Sequence, residues 1–165
     1  MRKHLFFVCP TDYLEPVIEF HYGPEIYFLS SLGNSMSFDQ EKVSEVLELL
    51  KGKHIHHIAF VLTDDNRMIS DALGDKDYAS ISGLNKFYRN LARQQQSCFG
   101  MWPTCYHQFL ISSYYLNHKM KELRLALSEQ LCDQIVMSAK IYKRKEQVFR
   151  DIYPISMLRN CTNMN

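Results

Sequence analysis

The 165-residue chain is 46% hydrophobic, 13% aromatic and 22% charged, with 19 basic against 18 acidic side chains and a formal charge of +1. That length buries a core as one domain over residues 1–165, and the aromatic content excludes a disordered chain. No stretch approaches the roughly 18–20 apolar residues of a membrane span, and the near-neutral balance gives no bulk field for nucleic acid or an anionic surface. Cys9, Cys98, Cys105, Cys132 and Cys161 are odd in number and follow no framework spacing, which reads as reduced thiols in a cytoplasmic protein.

Arg2, Lys3 and His4 before Leu5-Phe6-Phe7-Val8 have the look of a secretory signal. The run stops at Cys9-Pro10, short of a signal core of roughly 7–15 residues, and reads instead as a buried strand ended by turn-forming Thr11-Asp12. A short helix is expected over residues 15–20, a break at Gly23-Pro24, and a second strand over residues 25–30, closed by Leu32-Gly33-Asn34-Ser35. Ser37 with Gln40 predicts a capping box for a helix whose Val43, Val46, Leu47 and Leu50 recur at helical spacing, with Gly52 as its stop. Residues 55–62 form a third strand, apolar from Ile58 onward as expected when both faces are covered.

Beyond it the pattern predicts a short helix over 66–73, a loop over 74–77, and a helix over 80–96 carrying Leu84, Phe87 and Leu91. One or two helices follow over 106–131, with Met120, Leu123, Leu127 and Leu131 on one stripe. Strands over 135–142 and 147–153 flank the charged turn Lys143-Arg144-Lys145-Glu146. Strands alternating this closely with helices predict an α/β fold with a mainly parallel central sheet of about four to five strands flanked by helices.

In such a sheet, ligands sit at the carboxyl ends of strands where connections diverge. That selects Cys9-Pro10-Thr11-Asp12-Tyr13, residues 30–35, and Thr63-Asp64-Asp65-Asn66-Arg67, so a thiol, carboxylates and an arginine meet at one edge. Three turn-rich loops without an active site would read the same way.

Cys9-Pro10-Thr11-Asp12-Tyr13-Leu14-Glu15-Pro16 resembles the Cys-x-Asp-Ser-Arg-x-Asp-Pro signature of β-class carbonic anhydrases, matching at Cys9 and Pro16 and nearly at Glu15. Residues 25–34 are similar to that family's second strand and its Arg-Asn-x-Gly/Ala-Asn loop, and residues 53–65 to the strand that runs into its His-x-x-Cys motif. The last two strands, with Tyr142 in mid-strand, resemble the family's closing Gly-x-x-Tyr-Asp strand. The resemblance is weak between about residues 70 and 131 and rests on the order and spacing of partial matches.

What the resemblance implies is a β-carbonic-anhydrase-like fold and a zinc held by one cysteine, one histidine and a second cysteine, with an Asp-Arg pair ordering the metal-bound hydroxide. Those places hold Cys9, Leu62, Asp65, Thr11 and Tyr13 here. Catalytic zinc needs three protein ligands and an open position, and an alkyl side chain supplies no lone pair. The expectation is therefore a protein without the catalytic zinc or any other cofactor, catalytically inactive, acting as a binding or regulatory module connected to inorganic anions such as bicarbonate. Its small pocket would be lined by Cys9, Thr11, Asp12, Tyr13, Asp65 and Arg67. The alternative is a metalloenzyme with a rearranged site of Cys9, Asp65 and a third ligand such as Asp12. The family's dimers, joined by an N-terminal arm, imply a homodimer; this chain opens almost directly on its first strand, so exposed helix and sheet edge are expected to serve instead.

Other patterns carry less. His54, His56 and His57 place imidazoles at the entry of the third strand, away from the ligand edge, and read as structural or solvent-facing. Cys98, Cys105 and His107 lack zinc spacing. Lys140, Lys143, Arg144 and Lys145 read as a solvated hairpin tip rather than a nucleic-acid contact, and no nucleotide-binding glycine motif is present. Cys9 as a nucleophile lacks a histidine placed to activate it, and Asp12 opposes its ionisation.

Overall fold

The apolar run that opens the chain is paired on both sides. β1 (His4–Val8) lies between β2 (Ile26–Ser30) and β3 (His57–Thr63), parallel to both, so Phe6 faces Phe28 on one side and Ala59 on the other. β4 (Val136–Lys143) adds parallel to β3, and β5 (Val148–Asp151) closes the sheet antiparallel, giving the order β2-β1-β3-β4-β5. Parallel neighbours require long crossovers, supplied by α1 (Glu15–Tyr22), α2 (Gln40–Lys53) and, between β3 and β4, α3 (Arg67–Leu73), α4 (Asn85–Cys98) and α5 (His107–Ala126). The structure, a computed structural model, describes residues 3–98, 107–127 and 134–156. Among the expected features, Leu131, Cys105, Cys132 and Cys161 lie outside them.

Strand alternation divides the core in two. Leu5, Phe7, Ile58, Phe60, Leu62, Ala139 and Ile141 point to one face and meet Val46 and Leu50 of α2, Met68, Ile69 and Ala72 of α3, Phe87 and Leu91 of α4, and Tyr115, Leu116 and Leu123 of α5. Phe6, Val8, Ala59, Val61 and Tyr142 point to the other, where Leu14, the cap residue of α1, and Ile18 within the helix cover them. Each large apolar side chain buried this way contributes about 1.5–3 kcal/mol. The Phe7 and Phe60 rings stack at 4.5 Å on the thicker side.

Several local expectations are corrected. The cap of α2 is Asp39, whose carboxylate accepts the Lys42 N–H, not Ser37 with Gln40. Phe38 sets this start: its ring is edge-on to Phe7 and Phe60, which holds the preceding chain against the core. Gly52 does not stop the helix, which runs to Lys53 and ends at His54 in the left-handed region (φ 54°), where the His54 and Ile55 amides close on Lys51 and Leu50. The helix expected from residue 80 begins at Asn85. Turns occupy the preceding segment because the Asp71 carboxylate accepts the Asp77 and Tyr78 amides and the Tyr88 hydroxyl. Leu84, Phe87 and Leu91 are nevertheless buried as expected.

Candidate functional site

At the carboxyl edge of the sheet, β1 runs into a 3₁₀ turn, Pro10–Asp12, started by the fixed φ of Pro10. Cys9 is fully buried: its Sγ accepts the Gly33 N–H at 3.1 Å and lies 3.0 Å from Thr11 Oγ1. Tyr13 leaves the turn in the left-handed region (φ 52°), which swings its ring into solvent at 78% exposure.

The loop after β2 packs against this turn through Gly33. Its φ is 59°, and a Cβ there would stand 2.7 Å from the Phe87 ring, so only glycine permits the close approach. Asn34 follows, buried, with its Nδ2 donating to the Val61 carbonyl at 3.0 Å and its own carbonyl accepting the Tyr115 hydroxyl at 3.0 Å. Burial pushes the Tyr115 hydroxyl well above its ordinary value, and Glu122 and Cys9 add to the shift. Two residues on, the Met36 carbonyl accepts Lys119 Nζ at 2.6 Å; that ammonium also pairs with Glu122 at 2.7 Å and lies 4.6 Å from the Phe38 ring centroid.

Asp12 ties the first loop to the third. Its Oδ2 accepts the Thr63 N–H at 2.9 Å, and its Oδ1 accepts the Thr63 hydroxyl and Asn66 Nδ2, each at 2.8 Å. Asn66 in turn caps α3 by accepting the Ile69 N–H. Burial lifts the Asp12 carboxyl above its ordinary value, against the pull of Thr63, Asn66 and Arg144.

The charged turn between β4 and β5 is not wholly a solvated tip. Arg144 reaches back across the sheet edge: Nε donates to Asp65 Oδ1 at 2.9 Å and Nη2 to the Asp12 carbonyl at 2.6 Å, while its backbone amide donates to Asp64 at 3.3 Å. The sequence pattern does not distinguish this arginine from Lys143 and Lys145, because its partners lie 79 to 132 positions away.

Of the residues expected to line one pocket, Cys9 and Thr11 are in contact, and Asp12 is sealed by Thr63 and Asn66. Tyr13 points outward, Asp65 is exposed and spent on Arg144, and Arg67 is exposed with its guanidinium 5.6 Å from the Tyr78 ring. Sequence reasoning missed Thr63 and Asn66 as partners of Asp12, Tyr115 as the anchor of Asn34, and Arg144. Only Asn34 carried a signal, as the last residue of the Arg-Asn-x-Gly/Ala-Asn match.

Comparison with solved structures identifies the fold. The chain superposes on the β-carbonic anhydrase CafD of the filamentous fungus Aspergillus fumigatus with a TM-score of 0.73 at 15% identity, over 93% of this chain and 90% of that one. CafA of the same fungus gives 0.71 at 14% identity, over 97% and 81%. A structure from the study of two tetrameric β-carbonic anhydrases of the ascomycete Sordaria macrospora gives 0.68 at 12% identity, over 91% and 80%. A scan of protein-family models finds no match, and a search of curated proteins finds none either. The chain has the β-carbonic-anhydrase α/β fold.

The donors present do not fit the zinc which that fold implies. Leu62, at the position the resemblance gives to the histidine ligand, is an alkyl group with no exposed surface; Asp65 is paired with Arg144, and both oxygens of the Asp12 carboxylate already accept hydrogen bonds from Thr63 and Asn66. Among the described residues no three His, Cys, Asp or Glu side chains are grouped to hold a metal ion.

Proposed function

We propose that this protein keeps the β-carbonic-anhydrase scaffold without its hydration chemistry, lacks the catalytic zinc, and serves as a homodimeric binding or regulatory module in the handling of an inorganic anion such as bicarbonate. The observation that supports the reading is Leu62, which the resemblance places where the reaction would need a nitrogen lone pair and whose side chain is part of the core. Cys9 supports it, since its sulfur is engaged by the Gly33 amide from the neighbouring loop.

Self-association is supported by the unequal edges of the sheet. β2 ends the sheet with Ile26, Tyr27, Phe28 and Leu29 all half-buried and no charged residue, whereas β5 carries exposed Arg150 and Asp151. Charges blunt an edge, and an uncharged apolar strand invites pairing. A two-fold axis would run β2 antiparallel to its copy.

The test is elemental analysis of protein purified without chelator, paired with stopped-flow carbon dioxide hydration. Background turnover with zinc far below one per chain is expected; about one zinc per chain with turnover above background overturns the proposal and favours the rearranged metal site. Leu62→His with Asp65→Cys should raise zinc affinity by restoring a three-ligand set with Cys9.

A further inference from the structure

At the opposite edge of the sheet, the His54-Ile55-His56 stretch joins α2 to β3. Ile55 is buried, and the imidazoles on either side of it both line a cavity of about 310 Å³ together with Leu50, Lys51, Gln134 and Ile135. That volume is at the lower end of small-molecule sites, roughly 300–1,000 Å³. Leu50, Ile55 and Ile135 make an apolar floor, and the rim is Lys51, His54, His56 and Gln134.

Among the described residues, the one formal charge on the rim is the Lys51 ammonium. Lys42, Lys119 and Lys140 are paired with Glu45, Glu122 and Asp151, whereas among the described residues no acid lines this cavity or pairs with Lys51. The larger cavity at the carboxyl edge differs in this respect, because its Lys143 and Arg150 are both satisfied by Glu146. The negative end of the α2 dipole would oppose an anion, but the Leu50 and Lys51 carbonyls are already taken by the amides of Ile55 and His54.

His54 adds a second observation. It holds the left-handed cap position with φ 54°, where glycine or asparagine is the unstrained choice. Tyr13, Asn34, Lys76 and Gln147 share this conformation, so what marks His54 is its place on the cavity rim.

We infer that this cavity binds a small organic carboxylate with an apolar body: the alkyl part on Leu50, Ile55 and Ile135, the carboxylate on the Lys51 ammonium and the imidazole N–H groups of His54 and His56. The ammonium on the rim disfavours a metal cation, and three alkyl side chains give a bare inorganic anion nothing to bury against.

The test titrates the full chain with hexanoate, followed by amide and imidazole NMR shifts, with hexan-1-ol and hexylammonium as controls. Hexanoate should shift Ile55, His56 and Ile135 saturably and bind at least about fivefold more tightly than the alcohol, the worth of a charge-assisted contact, with hexylammonium weaker still. Lys51→Glu, an exposed change, should weaken hexanoate by about fivefold or more. His54→Gly should keep or raise the melting temperature by relieving the cap yet weaken hexanoate by about threefold, which separates a ligand role from a structural one. The inference is overturned by no saturable shift up to about 20 mM hexanoate, by equal binding of the alcohol, by full affinity in Lys51→Glu, or by zinc saturating the two imidazoles without displacement by hexanoate. None of these outcomes touches the reading of the carboxyl edge.

Discussion

Asp12→Asn separates two opposing effects at the carboxyl edge. The side chain is 1% exposed and surrounded by donors only: the Thr63 N–H on Oδ2, and the Thr63 hydroxyl and Asn66 Nδ2 on Oδ1. Replacing the carboxylate relieves a buried charge, but the new amide offers one acceptor oxygen instead of two. If its NH₂ replaces Oδ2 it opposes the Thr63 N–H; if it replaces Oδ1 it opposes Asn66 Nδ2, and only the Thr63 hydroxyl can rotate to accept. Either way one buried donor is stranded, at about 1–3 kcal/mol, and the remaining bonds lose their ionic share. The expected net loss is about 2 kcal/mol, or roughly 4–8 °C in melting temperature for a chain of this length.

Urea unfolding of both proteins between pH 3 and 8 measures it. Burial raises the Asp12 carboxyl, so its contribution is fully present below 3.8 and is lost as pH rises through the raised folded value. The variant has no such group. Asp12→Asn equal to or more stable than wild type at pH 7 would refute the donor count in favour of charge burial.

Other outcomes follow from the same geometry. Gly33→Ala should cost about 2–4 kcal/mol, combining left-handed backbone strain with overpacking on Phe87, and Phe87→Leu should recover only the packing share in urea unfolding. Burial favours the protonated form of Glu122, but the bonds from Lys119 and Lys86 prevail and hold its carboxyl below 4.5. Its stabilisation is present above 4.5 and is lost as pH falls through the depressed value. Glu122→Gln should cost about 2 kcal/mol at pH 7, discounted for its partial exposure, and flatten that acid limb. Tyr27→Glu places like charges across a two-fold β2 pair, so light scattering should show wild type at twice the chain mass and the variant at the monomer mass.

The first three strands were legible because each is an unbroken apolar run flanked by turn-formers, and a strand covered on both faces leaves that mark. Where such runs end was also legible, which is why the three loops were found together. Their partners were not. Thr63 and Asn66 are ordinary loop residues until Asp12 faces them, and Lys119 reads as an exposed helix charge until the Met36 carbonyl and the Phe38 ring cover it. Helix periodicity placed Leu84 in the core correctly but assigned it to a helix, since the Asp71 carboxylate that holds the preceding turns satisfies backbone amides through tertiary contacts.

The reach of Arg144 sets an order of events. Its guanidinium arrives 132 residues after the carbonyl it grips and 79 after its carboxylate partner, so no contact of this kind exists until residue 144 has been made. The first three strands can emerge and pair beforehand, but the turn after β1 and the loop after β3 gain this restraint only when the final hairpin docks. A chain halted before residue 144 would present that edge open, with Asp12 and Asp65 missing the arginine that joins them.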